Sequence, residues 1–428
     1  MKKYYFKQLD DVLLKNLCER KAIRFDDVLP VVKNILDKVK NNGDEAVGEF
    51  TQKFDKVHLS SLAVTQQEID RACKRIPTNI QNAFAQAARN IEKFHKSQLV
   101  KRIKVETAAG VTCFTETRPI EKVGLYIPGG TASLPSTVLM LAIPAKLAGC
   151  GEIVLVTPPA KDGNVPDVIL FAATLCGIAR IYKIGGAQAI AALAFGTESI
   201  PKVYKIFGPG NQYVTAAKML VSIDPEGAAI DMPAGPTEVL VIADESARAD
   251  FVAGDLLAQA EHGADSQAIL IATSDKKADE VSDEAYRQLQ TLPRKETAQK
   301  SLKNSFAIIV NSMNEALAFS NRYAPEHLIL NVKNAFRYVP KVESAGSVFL
   351  GPYSCESAGD YASGANHTLP TYARARASGG VSVSSFQKQI TFQKVTKQGA
   401  KNINPLVSTM AGQESLEGHK RAMQLRLE

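Results

Sequence analysis

Glu326 and His327 stand side by side in the stretch NRYAPEHLIL, residues 321 to 330, after a proline and ahead of an apolar run that reads as a buried strand. Neighbouring side chains point in different directions, so Glu326 is not expected to orient His327. Two separate proton transfers on one substrate suit the pair better, because adjacent groups with distinct pKa values favour general acid/base work. The bland alternative is an exposed loop glutamate next to a hydrogen-bonded histidine. Four of the six histidines, His262, His327, His367 and His419, fall in the C-terminal part beside glycine or acidic residues. His58 and His95 lie in charged helical segments and read as solvated bystanders.

Metal-ligand chemistry is the second candidate. In LLAQAEHGAD, Gln259 and His262 are three apart on a helix that ends at Gly263, so they share a face. A histidine at a helix C-terminus is equally explained by the helix dipole, and amide oxygens are uncommon zinc ligands. SAGDYASGANHTLPT, residues 357 to 371, places Asp360 and His367 in a glycine-rich loop, as turn caps or as a binding site held by the scaffold. The tail GQESLEGHKRAM adds Glu414 and His419, five apart and so not on one helical face; its bland alternative is a solvated terminal helix. Gln, His, Asp and His from separated segments could build a four-ligand nitrogen and oxygen site without thiolate, the kind a substrate joins.

The elements that must position these groups follow from hydrophobic periodicity. The first 100 residues read as a polar, helical lead-in, with helical spacing in DVLPVVKNILDKVKNNGDEAVGEFTQKF and QNAFAQAARNIEKFHKSQL. From residue 120, short apolar runs, three ending in glycine and one in Pro-Pro, each feed a helix: VGLYIPGG, EIVLVTPP, RIYKIGG and KVYKIFGPG. That β-α alternation predicts a parallel sheet covered on both faces. A second series, TEVLVIAD, QAILIATS, FAIIVNS, HLILNV and AGSVFLG, predicts a second α/β module, with the charge run at 275 to 287 as the wet face of its helix. After Gly379 and Gly380 the alternation stops, and VSVSSFQKQITFQKV with a helical tail reads as a separate small terminal unit.

Strand-glycine-helix turns offer backbone N–H groups and a positive dipole end to an anion, which places a nucleotide or phosphate near Tyr126, Gly129, Gly130, Gln188 and Asn211. None of the turns matches G-x-G-x-x-G, and such glycines are commonly simple backbone punctuation. Length predicts about two to four domains. The net charge of +7 is spread along the chain without interleaved aromatics, which argues against a nucleic-acid groove. Six scattered cysteines without CxxC spacing fit a reducing compartment. No signal-like N-terminus and no apolar stretch of about 20 residues stand out, so a cytoplasmic protein without membrane contact is expected.

VGLYIPGGTA, GPGNQYVTAAK, DMPAGPTEVLVIAD, AQAEHGADSQA, YAPEHL, GDYASGANHTLPT and ESLEGHKRAM occur in the order and context of the histidinol dehydrogenase family. The resemblance runs from about residue 20 to the end. It implies oxidation of L-histidinol to L-histidine through a bound aldehyde, the last step of histidine biosynthesis, with two NAD+ and a zinc ion. It also implies zinc ligands at Gln259, His262, Asp360 and His419, which with His327 contact the substrate, as do Thr237, His367 and Glu414. The catalytic pair implied is Glu326 and His327, with His327 taking the alcohol proton and Glu326 activating water, and NAD contacts fall on Tyr126, Gln188 and Asn211. Thr237 departs from the pattern, since many relatives carry serine there; the hydroxyl survives and the added methyl tightens the pocket.

The expected fold is α/β, with two Rossmann-like parallel-sheet domains, a helical N-terminal segment and a small C-terminal dimerisation segment. Residues 1–20 form an arm, 21–119 pack with 237–378 as the first domain, 120–236 form the second domain on the NAD side, and 379–428 cross to the partner of a homodimer. Glu414 and His419 would then complete the other subunit's site. Two rivals are a zinc hydrolase, which has no use for the module at 120–236, and a non-catalytic nucleotide-binding protein, which does not need Glu326 and His327.

Overall fold

The structure, a computed structural model, describes residues 1–20, 25–100, 102–129, 134–233 and 235–428. The chain opens with β1 (Lys2–Tyr5) and α1 (Asp11–Cys18), then three helices, α2 (Phe25–Asp55), α3 (Gln66–Arg75) and α4 (Thr78–Lys96). A capping box starts α3: Thr65 accepts from the Glu68 N–H while Glu68 reaches back to the Thr65 N–H. An antiparallel pair follows, β2 (Lys104–Ala108) with β3 (Val111–Pro119).

The first α/β module runs β4 (Lys122–Tyr126), α5 (Pro135–Ala148), β5 (Glu152–Thr157), α6 (Asp167–Leu175), β6 (Arg180–Lys183), α7 (Gly186–Phe195), β7 (Lys205–Phe207), α8 (Gln212–Ile223) and β8 (Ala229–Ile230). Its strands are parallel in the order β6-β5-β4-β7-β8. The second module runs β9 (Glu238–Ala243), α9 (Ala249–Ala260), β10 (Gln267–Ala272), α10 (Asp275–Leu289), α11 (Lys295–Lys303), β11 (Phe306–Ile309), α12 (Met313–Tyr323), β12 (His327–Asn331), β13 (Ser347–Leu350) and α13 (Glu356–Tyr361). Its order, β11-β10-β9-β12-β13, repeats that of the first sheet, with β1 added in parallel beside β11. Every residue of β9 and β12 is buried, as the unbroken apolar runs of strands covered on both faces require. The two expected parallel-sheet modules are therefore present.

Two expectations about the flanks need correction. The N-terminal helices cover the first module, not residues 237–378: α2 packs on α7 and α8, α3 on α6 and α4 on α5. The apolar stripe of α2, including Val32, Ile35, Val39 and Val47, meets an alanine-rich α7 whose small side chains permit close approach. The arm joins the core of the second module, through β1 and through α1, whose Cys18 and Leu14 sit there, and α4 touches the segment after α13, where Asn90 donates to the Ala362 carbonyl at 2.7 Å.

The C-terminal segment is not a separate unit within the chain. Its strand β14 (Gln387–Val395) pairs antiparallel with β3 along nine residues, making a three-stranded sheet with β2. Val381, Val383 and Phe386 are buried in the core of the first module, with Phe386 stacked on Phe207 at 3.8 Å between ring centres. Two helices end the chain, α14 (Lys397–Gln413) and α15 (Glu417–Gln424). No helix among the described residues is long and apolar enough to cross a membrane.

Candidate active site

His327 is the first residue of β12 and Glu238 the first of β9, its neighbour in the sheet, so both mark the amino edge of the second sheet. The backbone of Glu238 serves both members of the pair: its N–H donates to Glu326 Oε2 at 2.9 Å, and its carbonyl lies 3.2 Å from His327 Nδ1. A carbonyl only accepts, so Nδ1 carries the hydrogen and Nε2 the lone pair. Nε2 is buried without a hydrogen-bond partner among the described residues, 3.9 Å from Asp360 Oδ1. Burial lowers the His327 pKa to about 3, leaving a neutral imidazole. The Thr237 hydroxyl also donates to Glu326 Oε2, and burial pushes the Glu326 carboxyl well above the usual carboxylate range despite those two donors.

Around this pair gather Gln259 and His262 from the end of α9 and Asp360 from α13. His262, Glu356 and Asp360 bring one ligand atom each within 4.8 Å of one another. Burial raises Asp360 to about 7 and Glu356 well above its usual range, and lowers His262. In the orientation that satisfies both ends of the Gln259 amide, its nitrogen donates to Glu356 Oε1 at 2.8 Å and Oε2 at 3.0 Å. Its oxygen then faces Thr237 Oγ1 at 2.8 Å and the Glu238 N–H at 3.3 Å. Neither Glu356 nor Asp360 is paired with lysine or arginine among the described residues.

His367 spans the two modules. Its Nε2 lies 3.1 Å from Thr137 Oγ1, in the first turn of α5, and its Nδ1 lies 3.2 Å from the Asp360 carbonyl. Thr137 follows the carboxyl end of β4, so the site lies between the carboxyl edge of the first sheet and the amino edge of the second. On that carboxyl edge stand Tyr126 at the end of β4, Gln188 in the first turn of α7 and Asn211 capping α8, with β4 and β7 flanking the point where strand order reverses. Gln188 Oε1 is buried and unpartnered among the described residues. Gly129 and Gly185 have a packing reason, since a Cβ on either would meet the Pro158 ring within 2.3 and 2.5 Å. Gly130 lies outside the described residues.

The family model described as histidinol dehydrogenase matches residues 18–427. The chain belongs to the histidinol dehydrogenase family. The histidinol dehydrogenase of Bacteroides thetaiotaomicron is 57% identical over 411 residues, covering 96% of each chain. The chloroplastic histidinol dehydrogenase of Arabidopsis thaliana is 50% identical over 428 residues, covering 100% of this chain and 91% of that one. A crystal structure of histidinol dehydrogenase from Elizabethkingia anophelis superposes with a TM-score of 0.96 at 52% identity, covering 100% of this chain and 98% of that one. This histidinol dehydrogenase family member is thus an oxidoreductase.

Of the expected site residues, the fold brings Thr237, Gln259, His262, Glu326, His327, Asp360 and His367 together. Tyr126, Gln188 and Asn211 line the facing edge. Glu414 and His419 do not join them within one chain: both are exposed, on terminal helices that pack against each other and against β2. Asp360 sits on the short helix α13, not in a loop, because residues 356–361 complete a turn and a half before the glycine-rich stretch begins. Glu356 escaped the sequence reading, which began one residue too late; its spacing of four from Asp360 was the available signal, since such residues share a helical face. His95 is no bystander: it is fully buried, with Nδ1 2.9 Å from the Ile91 carbonyl and Nε2 3.3 Å from Asn366 Nδ2, beside His367. His58 is exposed, on the segment between α2 and α3.

Proposed function

We propose that this histidinol dehydrogenase family member oxidises L-histidinol to L-histidine in two hydride-transfer steps, with the aldehyde held between them. The observation that carries this is the state of His327: a buried neutral imidazole whose only free nitrogen faces the cleft beside Asp360. His327 Nε2 takes the hydroxyl proton as the carbinol carbon gives up hydride, which leaves an aldehyde. Thr237 and the Glu238 N–H converge on Glu326 Oε2, while Oε1 has no partner among the described residues. Glu326 takes the proton of a water as that water adds to the aldehyde carbon, while the protonated His327 returns its proton to the carbonyl oxygen, giving the hydrate and a neutral imidazole again; the raised pKa of Glu326 makes it a stronger base than a solvated glutamate once ionised. The hydrate then gives its proton to His327 as the second hydride leaves, and the carboxylic acid forms.

Two groups complete the chemistry. NAD+ supplies the hydride acceptor, held by Tyr126, Gln188 and Asn211, where the unpartnered Gln188 oxygen leaves room for a donor. The donor set fits a divalent zinc ion, because two buried carboxylates and an imidazole converge with no lysine or arginine paired to those carboxylates among the described residues. With its amide turned so that the oxygen and not the nitrogen faces Glu356, Gln259 would hold it together with His262 and Asp360, and with His419 from a second copy. Bound there, zinc would supply a Lewis-acidic anchor for the substrate, so that orientation would be its main contribution. We place the second copy in a homodimer in which residues 379–428, anchored on their own chain as far as β14, reach the other site through the terminal helices with Glu414 and His419. The exposed Phe392, Leu406, Met410 and Leu425 of that segment support an interface there.

Glu326→Gln tests the division of labour. Hydride transfer from the alcohol is expected within about tenfold of the parent rate, while water addition falls by about 10²–10⁴-fold, so aldehyde accumulates and is trapped by a carbonyl reagent. Equal loss of both steps would contradict the assignment.

A further inference from the structure

Beneath the catalytic pair lies a buried network that the proposed chemistry does not use. Arg20 follows α1, and its side chain is 8% exposed. Its Nε donates to Glu238 Oε2 at 2.5 Å, its Nη1 to the Tyr323 carbonyl at 2.6 Å and its Nη2 to the Ala324 carbonyl at 3.3 Å. The guanidinium lies over the Tyr323 ring, 3.6 Å from its centre, and the Tyr323 hydroxyl is 2.8 Å from the same Glu238 oxygen. The other Glu238 oxygen accepts from the Tyr372 N–H at 3.0 Å.

Two features give this network a bearing on the chemistry. The backbone of Glu238 holds both Glu326 and His327, so whatever fixes the Glu238 side chain fixes the donor and acceptor that set the pair. Ala324, at the end of α12, has φ 52°, a left-handed conformation that costs a non-glycine residue free energy and persists only when its surroundings enforce it. Arg20 ties down that carbonyl and the one before it, two and three residues ahead of Glu326, at a helix end where a positive charge is favoured.

We propose that Arg20 is a positioning residue of the active site, acting through Glu238 and the turn at Ala324 to set where Glu326 and His327 stand. This rests on the proton-transfer roles proposed above for that pair. Lysine cannot replace the contacts, because a single ammonium lacks the planar fork that reaches Glu238 and two carbonyls at once and that stacks on a ring. The N-terminal arm thereby becomes part of the machinery although Arg20 bonds to Glu238, Tyr323 and Ala324 and not to the pair itself. A displacement of about 1 Å at reacting groups is enough to cost about a hundredfold in rate.

The test uses the full-length enzyme with zinc and NAD+ and compares Arg20→Lys, Glu238→Gln and the double variant Arg20→Met/Glu238→Gln. The double variant removes both charges together and so leaves no uncompensated buried ion to unfold the protein. Arg20→Lys is expected to lower kcat by about tenfold or more with KM for L-histidinol and zinc content within about twofold, and to displace the limbs of the kcat/KM pH profile. A structural role alone lowers Tm and the fraction of active enzyme without moving that profile. The double variant should lose no more than the worse single variant, as two residues acting through one another do. Parent-like kcat and pH profile in Arg20→Lys, or losses that simply multiply in the double variant, would overturn the inference. Glu326→Gln and His327→Asn are run alongside: full activity in both overturns the proposed roles and this inference with them, whereas loss in both with an unimpaired Arg20→Lys overturns this inference alone.

Discussion

His327 and His367 share a common condition: burial holds each imidazole neutral, at about 3 for His327 and about 4 for His367, whereas His262 is exposed at the rim of the cluster. The carboxylates beside them are shifted the other way, with Asp360 at about 7 and Glu356 higher than its usual range. In the metal-free protein Asp360 is therefore partly protonated near pH 7, and a cation must displace that proton. The sign follows directly. A raised carboxyl pKa means that zinc affinity climbs as pH rises toward and past 7, and that binding at pH 7 releases protons. Calorimetry in two buffers of different ionisation enthalpy should give different heats; identical heats would contradict protonated carboxylates in the cluster. At this scale the sequence was legible where motifs bundle unusual types, as in Glu326-His327 and Gln259-x-x-His262. It was opaque where burial decides, because nothing local in the charged segment around His95 announces that Asn366 lies opposite it.

Among the elements, the parallel strands were readable because burial on both faces demands unbroken apolar runs, as in EVLVIA of β9. The pair β2 and β3 was not, since its strands are only partly buried and their polar residues dilute any apolar alternation. Missing that pair hid the partner of β14 and made the C-terminal segment look separate. Its attachment can be measured. Phe386 is fully buried and stacked on Phe207, so Phe386→Ala should cost about 3–5 kcal/mol in denaturant unfolding of the metal-free protein. A loss below about 1 kcal/mol would mean that the segment is only loosely held on the first module. The helix assignment for 25–96 was correct in type but not in partner, because helical periodicity gives the apolar face of α2 and not the surface it meets.

For the whole molecule, the carboxyl edge of one sheet stands against the amino edge of the other, and in the proposed reading the cleft between them takes cofactor contacts from the first and proton-transfer groups from the second. A site built this way still lacks Glu414 and His419, which stand exposed on α14 and α15 or just beyond them. Exchange between copies makes a sharp prediction. Mixing a His419→Ala chain with a Glu326→Gln chain, each impaired alone in forming L-histidine, should restore L-histidine formation through heterodimers in which the Glu326→Gln chain lends its intact tail to the intact Glu326 site of the other. Up to about one quarter of parent activity is expected from random pairing of two chains, and no recovery after demonstrated exchange would contradict tail sharing.

The most direct measurement is the amount of NADH formed per L-histidinol consumed by the zinc-loaded enzyme with NAD+ in excess. Two NADH per substrate, with L-histidine as the product, is the predicted result. One NADH with free aldehyde would contradict the role given to Glu326, and no NADH at all would contradict the dehydrogenase chemistry itself.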